Sequence, residues 1–242
     1  SFARQRRPRL VEINRHSPYE VGDEAFALAC KRKALVVVGG DKRQSVEYAQ
    51  TLPGVRCIIL DDGYQSWGIA RDINIVLLDG RAPFGNRCLI PMGSLREKSL
   101  TRASHVVVTH AYAVPVEKRE RLKKRIARYA NGRKVPVFWA EHVVNGVYRS
   151  NSQRLAATQY HQVPVDVVVG IGEPAGFLKT VDELSVSVQK THVFPDHHAY
   201  TVRDLEKILG TRERVTILTT EKDWGKIECC LAKNRVLLSR IE

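Results

Sequence analysis

The run VDVVVGIG, residues 165–172, is apolar almost without alternation. A strand with one face in water alternates polar and apolar side chains. A continuous apolar run therefore marks a strand covered on both faces, as in a parallel sheet with helices on either side. Five more runs share the texture: ALVVVGG (34–40), VRCIILDD (55–62), INIVLLDG (73–80), HVVVTHA (105–111) and VTILTTEKD (215–223). Helical patterns fall between them in DEAFALACKR, QSVEYAQTL, VEKRERLKKRIARYA and TVRDLEKILG, which makes the expected class α/β. The texture breaks over 136–164, where PVFWAEHVVNGVYRSNSQRL reads as two strands around Asn145-Gly146, a pair that tolerates positive φ and suits a tight hairpin. The expected organisation is an N-terminal lobe over 1–135, a β-hairpin linker over 136–164 and a smaller α/β lobe over 165–242.

At 242 residues and 43% apolar content the chain can bury a substantial core as one large domain or two small ones. No apolar run approaches the roughly 20 residues of a spanning helix. The opening SFARQRRPRL is basic but has no apolar segment after it, so it is not a secretory signal; its start at serine reads as a processed chain or a fragment. Five cysteines (30, 57, 88, 229, 230) are odd in number and form no zinc-type C-x-x-C pair, which fits a reducing compartment. A net charge of +13 calls for an anionic partner: a phosphorylated small molecule, an acidic membrane surface or nucleic acid. Nucleic acid is disfavoured because no helix-turn-helix, zinc-finger or aromatic RNP-like pattern accompanies the basic residues.

Sites in open α/β sheets lie beyond the carboxyl ends of strands. Asp61 and Asp62, Asp79, Glu173, Glu221 and Asp223 all stand there. Asp61 and Asp62 are hard oxygen donors of the kind that holds Mg²⁺ beside nucleotide phosphates, although DDG is also an ordinary turn signal. Gly22, Asp23 and Glu24 precede a helical pattern, where either carboxylate caps the helix or serves as a base or metal ligand. Asp196, His197 and His198 also precede a helix, and an aspartate beside a histidine can orient its ring. The segment APFGNRCLIPMGSLREK (82–98) is a long loop ending in Arg96 and Glu97, and an arginine there can fork onto phosphate oxygens.

In order, VGDEAFALA, DKR (41–43), DDGYQSWGIARDINIVLLD, FGNRCLIPMGSLRE, GIGEPAGFLKT, FPDHHAYTVRDL and LTTEKDWGKI resemble the tetraacyldisaccharide 4'-kinase family of lipid A biosynthesis, from about Val21 to Lys226. The resemblance implies a two-lobed P-loop-like kinase, peripheral on the cytoplasmic face of the bacterial inner membrane. Such a kinase uses ATP and Mg²⁺ to phosphorylate the 4'-hydroxyl of a lipid disaccharide. It implies that Asp23 and His197 act as a base pair, helped by Asp196, and that Asp61 and Asp62 form a metal-side pair with Glu24 as a further ligand. It implies that Arg43, Gln65, Arg71, Arg96 and Glu97 line the nucleotide and substrate-phosphate region. Asp23 and His197 would come from different lobes and meet on closure, and the surplus of cations would attract an anionic membrane surface.

The pattern also departs from the family. No G-x-x-x-x-G-K-[ST] motif occurs, VGGDKRQS having neither its spacing nor its Lys-Ser pair, and no hydrophobic N-terminal membrane helix is present. Ser66, Arg87 and Lys98 stand where the family has histidine, glycine and proline. Two explanations stay open: a fragment, inactive and soluble by itself, of such a kinase, or a diverged non-catalytic relative that binds nucleotide or anionic glycolipid. Loss of the first strand would leave an unpaired sheet edge, so partial disorder is expected near residues 1–20.

Overall fold

A computed structural model describes residues 7–150, 153–161, 163–232 and 234–241. Contacts group the chain into two compact units, Ser1–Ile58 with Asn145–Glu242, and Ile59–Val144. That grouping differs from boundaries at 135 and 165. In the first unit β1 (Arg9–Leu10) leads to α1 (Pro18–Val21) and α2 (Asp23–Cys30), then to β2 (Val37–Val38) and α3 (Lys42–Gln50). Strand β1 pairs antiparallel with β2, Arg9 opposite Val38. The Asp41 carboxylate accepts the Gln44 N–H at 3.0 Å and so starts α3. Of the stretch expected to be disordered, residues 1–6 lie outside the described residues, and the remainder carries β1 and α1.

The second unit holds β3 (Ile75–Asp79), β4 (His105–Thr109), α4 (Val116–Tyr129) and β5 (Val137–Trp139). The strands are parallel in the order β3-β4-β5, with Ile75 opposite His105 and Val106 opposite Val137. Leu122 and Ile126 of α4 cluster with Val106, Val108, Leu78 and Phe84, and the guanidinium groups of Arg119 and Arg125 lie over the Trp139 and Phe84 rings at the margin of that cluster. Cover on both faces is not met in β3, where Ile75 and Leu77 are 57% and 66% exposed. The strand expected over 55–62 does not form: residues 55–60 have no regular structure, and Ile59 is 91% exposed. Apolarity marks what can be buried, but a strand also needs a neighbour for its N–H and C=O groups.

The hairpin also falls elsewhere than expected. Val137–Trp139 joins the parallel sheet beside β4, and the antiparallel pair is β6 (Val147–Tyr148) with β7 (Arg154–Leu155), Val147 opposite Leu155. The reversal therefore comes after Asn145-Gly146; residues 151–152 within it lie outside the described residues. The available edge of β4, and not the turn propensity of Asn-Gly, sets the pairing.

The first unit continues with α5 (Ala157–Tyr160), β8 (Val165–Val169), α6 (Pro174–Glu183), β9 (Val188–Val193), α7 (Val202–Leu209), β10 (Ile217–Thr219), α8 (Glu221–Leu231) and α9 (Arg235–Leu238). Its sheet is parallel in the order β10-β8-β9, with Leu218 opposite Val167 and Val168 opposite His192. All five residues of β8 are buried, as its apolar run predicts, and Val168 packs with Leu205, Ile208, Ile227 and Leu231. Strands β8, β9 and β10 are parallel, so the connections after all three leave from one carboxyl edge, where sites in open α/β sheets lie.

Candidate active site

Three strand exits and one helix start converge at that edge. Strand β9 runs out through Phe194 and Pro195 to Asp196 and His197. Asp196 Oδ1 accepts the His197 N–H at 2.9 Å, and His197 sits at φ 57°, a left-handed conformation that non-glycine residues adopt rarely. After β10, the Thr220 hydroxyl oxygen accepts the Asp223 N–H at 3.1 Å and caps α8. The Asp223 side chain is wholly buried, and its Oδ2 accepts the Gly170 N–H at 2.9 Å and lies 3.0 Å from Thr220 Oγ1. A Cβ on Gly170 would stand 2.9 Å from Tyr200 Oη and 3.2 Å from Asp223 Oδ1, so the end of β8 requires glycine for this close approach.

Asp23 arrives from the other end of the sequence. It opens α2 after Gly22, which takes φ 91°. Helix α2 lies along α8, with Phe26 against Gly225 of that helix. This packing puts Asp23 Oδ2 3.0 Å from His197 Nδ1, across 174 residues of sequence. The two residues therefore share one compact unit and are already in contact, and the expected meeting on closure of two lobes is corrected.

Charge surrounds this pair. His197 Nε2 is 3.6 Å from Asp196 Oδ2, so the imidazole lies between two carboxylates. Lys222 Nζ is 3.4 Å from Asp196, 3.5 Å from Glu24 and 3.8 Å from Asp23. Lys226 Nζ is 3.4 Å from Asp23 Oδ2 and 3.0 Å from Asp223 Oδ1. Burial opposes the charge on Asp23, but the His197 hydrogen bond and the charges of Lys222 and Lys226 outweigh it and hold the carboxyl below its ordinary range. Burial likewise opposes the charge on Lys222, and Asp23, Asp196 and Glu24 outweigh it upward. Burial and the neighbouring Asp223 push the Tyr200 phenol well up. Such a cluster can present an ionised carboxylate to a proton donor and ammonium groups to an anion.

The remaining sequence candidates divide between the two units. In the second unit, Asp61 and Asp62 occupy an exposed turn with Asp62 at φ 48°, and Arg96 pairs with Asp62 at 2.5 Å. Two carboxylates in one turn form a donor set that suits Mg²⁺, which takes one or two carboxylates and fills its shell with phosphate and water oxygens. Among the described residues no group of three or more His, Cys, Asp or Glu is arranged to hold a metal. Glu97 is gripped through both oxygens by Arg102, at 2.9 and 2.8 Å, and Arg102 also lies over the rings of Tyr64 and Trp67. Arg71 donates to the Gly63 carbonyl, and Gln65 is exposed in the same loop. In the first unit, Arg43 pairs with Glu47 one turn along α3 at 3.1 Å, and Glu24 meets Lys222. Sequence reading picked out Asp223 only as a strand-end acid and passed over Lys222 and Lys226. The available signal was TTEKDWGK, a threonine cap followed by lysines one turn apart at a strand exit.

Fold and cluster together define an α/β protein with a carboxylate, imidazole and lysine cluster at the carboxyl edge of a parallel sheet. The chain belongs to the LpxK family, described as tetraacyldisaccharide-1-P 4'-kinase, whose model matches residues 2–241. It is 36% identical over 225 residues to the tetraacyldisaccharide 4'-kinase of Anaeromyxobacter sp. (strain K), covering 88% of this chain and 57% of that protein. It is also 36% identical over 224 residues to that of Anaeromyxobacter dehalogenans (strain 2CP-1), again 88% and 57%. The crystal structure of the "apo" form of LpxK from Aquifex aeolicus in complex with ATP is similar at TM-score 0.71 and 25% identity, over 93% of this chain and 67% of that one. The chain thus spans a little over half the length of the curated relatives it matches. Among the described residues no helix is long and apolar enough to cross a membrane.

Proposed function

We propose that the whole protein carrying this chain transfers the γ-phosphoryl group of ATP to the 4'-hydroxyl of a tetraacyldisaccharide 1-phosphate, with Asp23 as proton acceptor. The observation that supports it is the contact of Asp23 with His197 at 3.0 Å, beside two lysines, at the carboxyl edge of a parallel sheet. The 4'-hydroxyl oxygen attacks the γ-phosphorus as its proton passes to Asp23. The new P–O bond forms while the bond from the γ-phosphorus to the β,γ-bridging oxygen breaks, and ADP leaves with that electron pair. His197, donating from Nδ1, orients the carboxylate, and Asp196 holds the ring from its far side. Lys222, at the rim of the cluster, faces incoming negative charge. Asp61 and Asp62 would hold Mg²⁺, which when bound supplies charge neutralisation to the phosphates. Arg71 and Arg96 supply guanidinium groups for nucleotide and substrate oxygens. The surplus of 39 cations over 26 acids suits a protein working peripherally at an anionic membrane, on the cytoplasmic face of the inner membrane.

The direct test is incubation of the whole protein with γ-labelled ATP and tetraacyldisaccharide 1-phosphate. Label on the 4' position of the lipid supports the reading. Label released only as inorganic phosphate, or retained entirely in ATP, sinks it.

A further inference from the structure

Lys226 carries an ammonium group into an almost dry position. Its side chain is 3% exposed, Nζ lies 3.0 Å from Asp223 Oδ1 and 3.4 Å from Asp23 Oδ2, and the Tyr200 ring centroid is 5.5 Å away. The arrangement exceeds what α8 needs to begin. Thr220 already caps the helix, and Asp223 Oδ2 already receives the Gly170 N–H and faces the Thr220 hydroxyl. A lysine present only to neutralise Asp223 would be a costly device, because a buried ion pair is replaced by apolar side chains of similar volume with little loss and often a gain. Lys226 instead bridges two carboxylates, one wholly buried and the other at the surface of the cluster with its side chain 10% exposed.

We infer that Lys226 is a positioning residue for Asp23, and that Asp223 anchors Lys226 from beneath; the inference rests on reading Asp23 as the proton acceptor. The geometry gives the reason. Asp23 is the first residue of α2, and its Oδ1 already accepts the N–H of Glu24 at 3.0 Å, the self-capping arrangement into which a free aspartate at a helix start settles. Turning the carboxylate toward a substrate requires a stronger hold on Oδ2. His197 provides one, but from a loop residue in a left-handed conformation. Lys222 provides a second at 3.8 Å, shared with Asp196 and Glu24. Lys226 provides the hold that is fixed in the core, since it rises from the buried face of α8 one turn beyond Asp223. One hydrogen bond and two ammonium charges around one oxygen restrict the carboxylate rotamer, and pre-set geometry of this kind carries a large part of an enzyme's rate advantage.

The test is made in the whole kinase with Lys226→Met, Asp223→Asn, Asp23→Asn and the Lys226→Met/Asp23→Asn pair. Lys226→Met should lower kcat by about 10- to 100-fold while KM for ATP stays within about twofold. Asp223→Asn keeps volume and can still accept the Gly170 N–H, so it should produce the same split, and it carries the test if Lys226→Met does not fold. The paired variant should be no slower than Asp23→Asn alone, because the lysine acts only through that carboxylate. A folded Lys226→Met, or failing that Asp223→Asn, with kcat within about threefold of wild type overturns the inference while Asp23→Asn remains inactive. A paired variant slower than Asp23→Asn by the full Lys226→Met factor marks a scaffold role and also overturns it. An Asp23→Asn enzyme with wild-type kcat overturns the proton-acceptor reading itself, and with it the inference.

Discussion

Replacing Asp23 by asparagine separates chemistry from architecture at this site. The change keeps the shape of the side chain and removes its charge. Every neighbour keeps another partner: Lys226 retains Asp223 at 3.0 Å, Lys222 retains Asp196 at 3.4 Å and Glu24 at 3.5 Å, and His197 retains Asp196 at 3.6 Å. The folding cost is therefore that of weakening one charge-assisted hydrogen bond, about 1–2 kcal/mol. Loss of a general base slows turnover by roughly 10²- to 10⁴-fold, which corresponds to about 2.7–5.5 kcal/mol in the barrier. Steady-state kinetics on the whole protein with varied lipid acceptor and varied ATP, alongside a denaturant melt, read both quantities. The expected outcome is a fall in kcat of at least a hundredfold, with KM for ATP within about twofold and a stability loss smaller than the kinetic one. A kcat within about threefold of wild type would refute the proton-acceptor role, whatever the melt showed.

Two further predictions concern charges outside the cluster. Asp166 in β8 is 1% exposed and is held by Arg212 at 2.8 and 2.7 Å and by His192 at 2.8 Å; burial opposes its charge, and these partners outweigh it. Arg212→Ala should cost about 3–5 kcal/mol in a denaturant melt, and a loss under about 1 kcal/mol would show that the pair is dispensable. Asp79, at the carboxyl end of β3, is held at about 2 from an ordinary 3.8, first by the hydrogen bond from Arg81 and against a smaller opposing effect of burial. Its folded-state value is depressed, so the stability it contributes is complete above 3.8 and is lost as pH falls through about 2. In Arg81→Ala the midpoint of the Asp79 carboxyl carbon, followed by NMR, should rise toward 3.8, and an unmoved midpoint would contradict the assigned cause.

Fold class and the candidate residues were legible in the order of amino acids. Apolar runs at 73–80, 105–111, 165–172 and 215–223 contain β3, β4, β8 and β10, and in β8 burial on both faces shows directly in composition. Helix caps make their hydrogen bonds within one turn and so belong to local sequence. The same locality brought Asp23 and His197 to notice as acids and imidazoles ahead of helices. The tertiary structure decided everything that depends on a distant partner. The run at 55–62 is as apolar as its neighbours and forms no strand, and Val137–Trp139 leaves its expected hairpin to pair with β4. Only the packing of α2 on α8 brings Asp23, His197, Lys222 and Lys226 together, because periodicity and capping act over a few residues while this charge cluster gathers groups up to 203 positions apart.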